Sequence, residues 1–149
     1  PDLFLGYTDQ TLTTELIDDE GWYRTGDVGE LDADGYLSIT DRISDVIIRG
    51  GENISAQEVE EQLLRLAGVA EAAVVAQPDE RLGEEVAATI FCDSQINEAE
   101  LREFLATRLA KFKIPRYIRQ SNDSLPRIAS GKIFKLQIRQ DARTAILKE

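Results

Sequence analysis

The 149-residue chain contains no histidine, no methionine and a single cysteine. Without histidine, imidazole acid–base catalysis is excluded, and so are most zinc sites. Cys92 stands alone inside an apolar run, where it reads as a buried thiol of a reducing compartment rather than as a reactive centre. Positive charge is scarce: 17 lysines and arginines face 28 acidic residues, for a net charge of −11. That balance argues against a nucleic-acid or anionic-membrane surface. There is no signal peptide, no transmembrane run and no lipidation motif, so a cytoplasmic protein is expected. With Pro1 in first place and methionine missing throughout, the chain is expected to be a piece of something longer.

A phosphate loop is also missing. Residues 126–132 read "PRIASGK", and the Gly-Lys pair invites comparison with the G-x-x-x-x-G-K-[ST] motif. Pro126 holds the place of its first glycine and Ile133 that of its hydroxyl. Nothing opens the cradle or reaches magnesium, so Lys132 needs a different explanation.

What is present is a core. Hydrophobic residues make up 42% of the chain, which excludes wholesale disorder. Residues 1–41 are rich in turn chemistry: "DDEGWY" and "DADGYLSIT" each show an acidic turn closing on glycine and entering alternating apolar residues, the hairpin signal. Resting mainly on Leu3, Phe4, Leu5, Trp22 and Tyr36, this β-rich segment reads as too small for its own core and is expected to pack on something else.

From Asp45 the pattern changes. "DVIIR" reads as a strand and "GGEN" as a loop. Ser55 and Glu58 form a capping box, with Ile54 and Val59 as its staple, and Val59, Leu63 and Leu66 follow at helical spacing. "VAEAAVVAQ" and "EEVAATIFCD" read as buried strands. Asn97 and Glu100 repeat the capping logic before Leu101, Phe104, Leu105 and Leu109. A short strand, "RYIRQ", precedes the "LPRIASGK" loop, and a last helix runs from about Phe134. The whole reads as an α+β unit with a three-stranded sheet and about three helices, joined to the first segment through residues 42–45.

Three stretches exceed what a generic fold needs, and each has a plain alternative. In "YRTGD" Asp27 is either a turn residue or a projected carboxylate able to accept two hydroxyl hydrogen bonds. In "DRISD" Arg42 is either a surface ion-pair partner or a planar donor to a nucleotide. In "PRIASGK" Lys132 is either a solvated charge or a cation held on a loop shaped by Pro126 and Gly131.

In order and spacing, "GWYRTGD…DR-x-x-D…RGGENI-x-x-x-E-V-E…LPR-x-x-SGK" resembles the C-terminal motifs of the adenylate-forming enzymes: acyl- and aryl-CoA synthetases, peptide-synthetase adenylation domains and luciferase. The similarity runs over essentially the whole chain. It implies that residues 1–41 end a large N-terminal domain, that 42–45 are a hinge, and that 46–149 form a mobile C-terminal lid. It also implies that Asp27 holds the AMP ribose hydroxyls with Arg42 beside it. Lys132 would reach the carboxylate and α-phosphate during adenylation, and Gly50, Gly51 and Glu52 would line the passage for pantetheine. Ser44 stands at the hinge position, where the family usually has Asp or Lys. Ile48 stands where luciferases carry a second lysine, which argues against luminescent chemistry.

The resemblance implies ATP, CoA and Mg2+ as cofactors, with the metal held mainly by the N-terminal domain, and a small carboxylic acid as substrate. The spacing around Lys132 also resembles sites controlled by a lysine acetyltransferase and a deacetylase. The reading is an acyl- or aryl-CoA synthetase whose isolated C-terminal piece is inactive. Its alternatives are an adenylation domain loading a carrier protein and a solitary, non-catalytic lid-like binding module.

Overall fold

The computed structural model describes residues 4–146. Leu3 and the last three positions of the expected final helix lie outside the described residues. The chain divides into two compact units between Ser44 and Asp45.

The first unit is built on aspartate-capped turns. Asp9 accepts the Thr11 N–H at 2.9 Å and so caps a short helix, α1 (Gln10–Leu16). The β-rich expectation missed this helix, because Thr11, Thr13 and Thr14 have weak helix propensity and no apolar period marks it. The two acidic turns share one device. Asp18 Oδ1 accepts the Glu20 and Trp22 N–H groups at 3.1 and 2.8 Å. Asp32 Oδ1 accepts those of Asp34 and Tyr36, both at 2.9 Å. After the first turn, pairing stops at the single bridge Ile17↔Tyr23. The second closes a hairpin of β1 (Asp27–Leu31) and β2 (Leu37–Arg42). Among the described residues of this unit only Asp41 is buried, while Trp22 and Tyr36 are 72% and 73% exposed. These residues form no core of their own, as expected, but not for want of apolar side chains: Leu12, Val28, Leu31, Leu37 and Ile39 are exposed as well.

A 3-10 turn (Ile43–Asp45) bridges the division, and the second unit follows. It comprises β3 (Val46–Arg49), β4 (Glu52–Ser55), α2 (Ala56–Leu64), β5 (Val69–Asp79), β6 (Gly83–Cys92), α3 (Glu98–Ala106), β7 (Tyr117–Ser121) and α4 (Lys135–Ile146). The sheet has five strands, not the expected three, in the order β4-β3-β6-β5 with β7 pairing β6. β7 runs parallel to β6, and β3 joins β6 through the Arg49↔Gly83 pair. The expected "GGEN" loop is also corrected. Gly50 and Gly51 alone make the turn, and Arg49 pairs with Glu52 across it. Glu52 and Asn53 are exposed polar residues of the β4 strand, which is why no apolar signal announced it.

β5 and β6 are apolar at successive positions because both sheet faces are covered. On one face Val74, Val86 and Ile90 pack with Val59 and Leu63 of α2 and Leu101 and Leu105 of α3. On the other, Ala73, Val75 and Ala87 meet Leu125 and Ile138, the latter from α4. Leu63, Leu101 and Leu105 are fully buried, and each contributes about 1.5–3 kcal/mol relative to an exposed side chain.

The caps are simpler than full boxes. Ser55 Oγ accepts the Glu58 N–H at 3.1 Å, but the Glu58 carboxylate turns to Lys113 at 2.7 Å. Asn97 Oδ1 accepts the Ala99 N–H at 2.9 Å rather than that of Glu100. Cys92 is half-buried, and burial together with Asp93 pushes its thiol pKa up, which fits an inert side chain.

Candidate functional site

In the first unit, strand register brings Asp27 and Arg42 face to face. They are direct partners across β1 and β2, and Arg42 Nε lies 3.1 Å from Asp27 Oδ1. The Thr25 hydroxyl accepts the Asp27 N–H at 3.1 Å and fixes the strand's first residue. Asp27 Oδ2 accepts no hydrogen bond among the described residues. The ion-pair alternative for Arg42 is therefore realised, and it leaves half of the carboxylate open to a hydroxyl donor. The pair is surface-exposed on the arginine side and adds little to stability; what it fixes is the carboxylate's orientation.

In the second unit, Lys132 sits on a small hairpin. Ile128 N–H donates to the Lys132 carbonyl at 2.9 Å, and Gly131 N–H donates to the Ile128 carbonyl at 2.9 Å. Gly131 takes φ 85°, the left-handed residue that a three-residue hairpin loop requires. Arg127 and Ile133 pair across the base. Lys132 is exposed, and no described carboxylate lies in ion-pair range of it.

The neighbouring lysine behaves differently. Lys135 opens α4 with Nζ 2.9 Å from Glu60 Oε1 and 3.2 Å from Asp45 Oδ2. Burial works against its charge, but the two carboxylates outweigh it and hold its pKa above the ordinary lysine value. Of two lysines three residues apart, one is neutralised within the fold and the other is free to meet an anion.

The hairpin is braced by a residue to which sequence reading gave no role. Arg127 Nη1 donates to the Gly131 carbonyl at 2.7 Å, and its Nη2 donates to Glu71 Oε1 at 2.8 Å. Glu71 Oε2 also accepts the Leu125 N–H at 2.7 Å. Only its place in "LPRIASGK" could have singled out Arg127, because Glu71 lies more than fifty positions away.

The glycine turn has a local explanation. Gly50 and Gly51 have φ of 58° and 92°, both left-handed, as a two-residue hairpin turn demands. Gly50 N–H donates to the Leu82 carbonyl at 2.8 Å. A Cβ on Gly50 would meet Leu82 at 3.1 Å, whereas one on Gly51 would point into open space. Close by, Glu84 Oε2 accepts the Ile48 N–H at 2.7 Å, and buried Glu85 takes the Arg49 fork at 2.7 and 3.0 Å. Glu52 is exposed at the start of β4. Ser44 is exposed in the 3-10 turn, beside the division between the units.

Among the described residues no helix is long and apolar enough to cross a membrane, and no group of acidic or cysteine side chains gathers as a metal site.

The long-chain-fatty-acid–CoA ligase FadD13 of Mycobacterium tuberculosis is 41% identical over 143 residues, 95% of this chain and 28% of that protein. The crystal structure of ATP-bound MatB from Rhodopseudomonas palustris superposes with a TM-score of 0.86 at 34% identity, over 95% of this chain and 29% of that one. The o-succinylbenzoate CoA synthetase MenE of Bacillus subtilis, solved with its acyl-adenylate intermediate, does so with a TM-score of 0.81 at 39% identity, covering 89% and 27%. The chain thus spans between a quarter and a third of the length of these relatives. Residues 58–132, which run from the first turn of α2 to the exposed lysine, match the AMP-binding enzyme C-terminal domain, and the chain belongs to that family.

Proposed function

We propose that this chain is the C-terminal part of an ATP-dependent acyl- or aryl-CoA synthetase, and that Lys132 serves its adenylation half-reaction. The observation that carries the reading is the contrast between the two lysines. Lys132 is exposed on a braced hairpin with no described carboxylate beside it, whereas Lys135 is neutralised by Glu60 and Asp45. In adenylation a carboxylate approaches an α-phosphate, and an unpaired point cation offsets the repulsion as charge builds in the transition state.

Asp27 accepts the AMP ribose hydroxyls through the oxygen that Arg42 leaves open, and Arg42 holds it in register. Residues 42–45 are the pivot, with Ser44 in place of the usual Asp or Lys. After adenylation the lid turns, and the Gly50–Gly51–Glu52 turn lines the path by which the CoA thiol reaches the acyl adenylate. The thiol sulfur attacks the acyl carbon, AMP departs, and a thioester forms. Among the described residues no carboxylates gather as a metal site, and Mg2+ is held with the ATP phosphates by the remainder of the enzyme. Acetylation of Lys132 by a lysine acetyltransferase would delete its charge, and a deacetylase would restore it. The enzyme acts in the cytoplasm.

The test is to assay the enzyme containing this chain with ATP, CoA and a panel of fatty and aromatic acids. Acid-dependent release of AMP and pyrophosphate, together with a CoA thioester, is the expected result. AMP release without any thioester would overturn the CoA assignment, and no acid-dependent pyrophosphate would overturn adenylation. The 149-residue chain alone is expected to form no thioester.

A further inference from the structure

Asp45 is the first residue of the second unit, and Lys135 is the first residue of α4, 90 positions later. Lys135 joins Asp45 to Glu60 on α2, and Glu60 Oε1 also accepts the Val74 N–H of β5 at 2.7 Å. Arg139, one turn further along α4, brings Nη2 to 3.9 Å from Asp45 Oδ1. Lys135 and Arg139 thus meet Asp45 and Glu60 in an ion-pair cluster whose side chains are only 16–26% exposed. It ties the start of the unit, α2, β5 and the helix behind the Lys132 hairpin to one point.

Such a cluster is a poor way to gain stability. Removing charges from water costs much of what their attraction returns, and apolar residues of the same size often do as well. What the cluster provides is orientation. Nζ must meet two fixed carboxylates, which sets the direction in which α4 leaves the hairpin, and Lys132 lies less than one helical turn before that point.

We propose that Lys135 is a positioning residue for Lys132: through Asp45 and Glu60 it locks the hairpin and α4 to the pivot end of the lid, so that rotation at residues 42–45 delivers Lys132 to one place. This rests on the adenylation role given to Lys132 above.

The experiment compares Lys135→Met, Lys135→Arg, Asp45→Asn, Lys132→Ala and the double variant Lys132→Ala/Lys135→Met in the full enzyme. Pyrophosphate exchange, thioester formation from preformed acyl adenylate, and melting temperature are measured for each. Lys135→Met is expected to lower adenylation kcat by about 10–10²-fold with the ATP KM unchanged, because a misplaced catalytic group loses rate rather than binding. Lys135→Arg should recover most of that loss, Asp45→Asn should share it, and in the Lys135 variants the thioester step should stay intact. A residue acting only through Lys132 makes the double variant no slower than Lys132→Ala alone, whereas a merely structural role makes the two losses multiply. Multiplying losses, or full adenylation by a folded Lys135→Met enzyme, overturns the proposal. If Lys135→Met does not fold, Asp45→Asn decides, and wild-type adenylation there overturns it. Wild-type adenylation by Lys132→Ala instead removes the role of Lys132 itself, so the two failures are separable.

Discussion

Glu71 on β5 and Arg127 at the base of the Lys132 hairpin meet at 2.8 Å, and the same guanidinium holds the Gly131 carbonyl at 2.7 Å. One side chain therefore spans from the sheet to the hairpin tip, immediately before the free lysine. The contact has a definite pH dependence. The hydrogen bond from Arg127, set against partial burial and helped by the Leu125 N–H, lowers the Glu71 pKa below the ordinary glutamate value of 4.5. A carboxylate whose folded pKa is depressed adds stability above its unfolded pKa and loses it as pH falls through the folded one. The tether should therefore be intact above pH 4.5 and release only below it. An NMR titration of the Leu125 amide should show a midpoint under 4.5 that vanishes in Glu71→Gln. A midpoint at or above 4.5 would contradict the assignment.

Asp27 should govern nucleotide affinity. Removing a charged hydrogen-bond acceptor costs about 1.5–3 kcal/mol, so Asp27→Ala in the full enzyme should weaken AMP binding by roughly 10–10²-fold. Arg42→Ala should act in the same direction and more weakly, because it releases Asp27 Oδ1 without removing the carboxylate. Calorimetry on the two variants checks both, and unchanged affinity in Asp27→Ala would remove its ribose role.

The glycine turn gives a steric test with a built-in control for backbone strain. Asn tolerates left-handed φ better than other residues with a Cβ, and the space around Gly51 is open. Gly51→Asn should therefore fold, keep pyrophosphate exchange and slow thioester formation by filling the passage. Equal loss in both half-reactions would point to a distorted hairpin in place of an obstructed thiol.

These tests depend on features that differ in how far sequence reveals them. Helices α2 and α3 were legible because Val59, Leu63, Leu101 and Leu105 repeat at helical spacing behind Ser55 and Asn97. β4 was not, because its pairing residues Glu52 and Asn53 are polar and exposed, and a two-residue glycine turn looks like a longer loop. Asp27, Arg42 and Lys132 stood out through local motifs. Arg127 and Lys135 did not. Their partners Glu71, Glu60 and Asp45 come from distant parts of the chain, and a contact of high sequence separation leaves no local period. Helix α1 was missed because it is only seven residues long and three of them are threonines of weak helix propensity.

Lys132 carries the strongest prediction. If it acts only while the lid is closed for adenylation, its loss should damage one half-reaction and spare the other. Lys132→Ala removes the cation that offsets carboxylate–phosphate repulsion, and losing one preorganised electrostatic contact typically costs about 10²–10³ in rate. On the proposed reading, thioester formation from preformed acyl adenylate uses the turned lid, with Lys132 away from the phosphate, so that rate should hold. Folding should be almost unaffected, since Lys132 is exposed and no described carboxylate depends on it. Acetylation deletes the same charge, so acetylated enzyme should behave like the alanine variant, and treatment with a deacetylase should return it to normal. The deciding measurement supplies synthetic acyl adenylate and CoA to Lys132→Ala. A thioester rate that falls as far as the adenylation rate would show that the lysine serves the fold or both steps, and the half-reaction assignment would be lost.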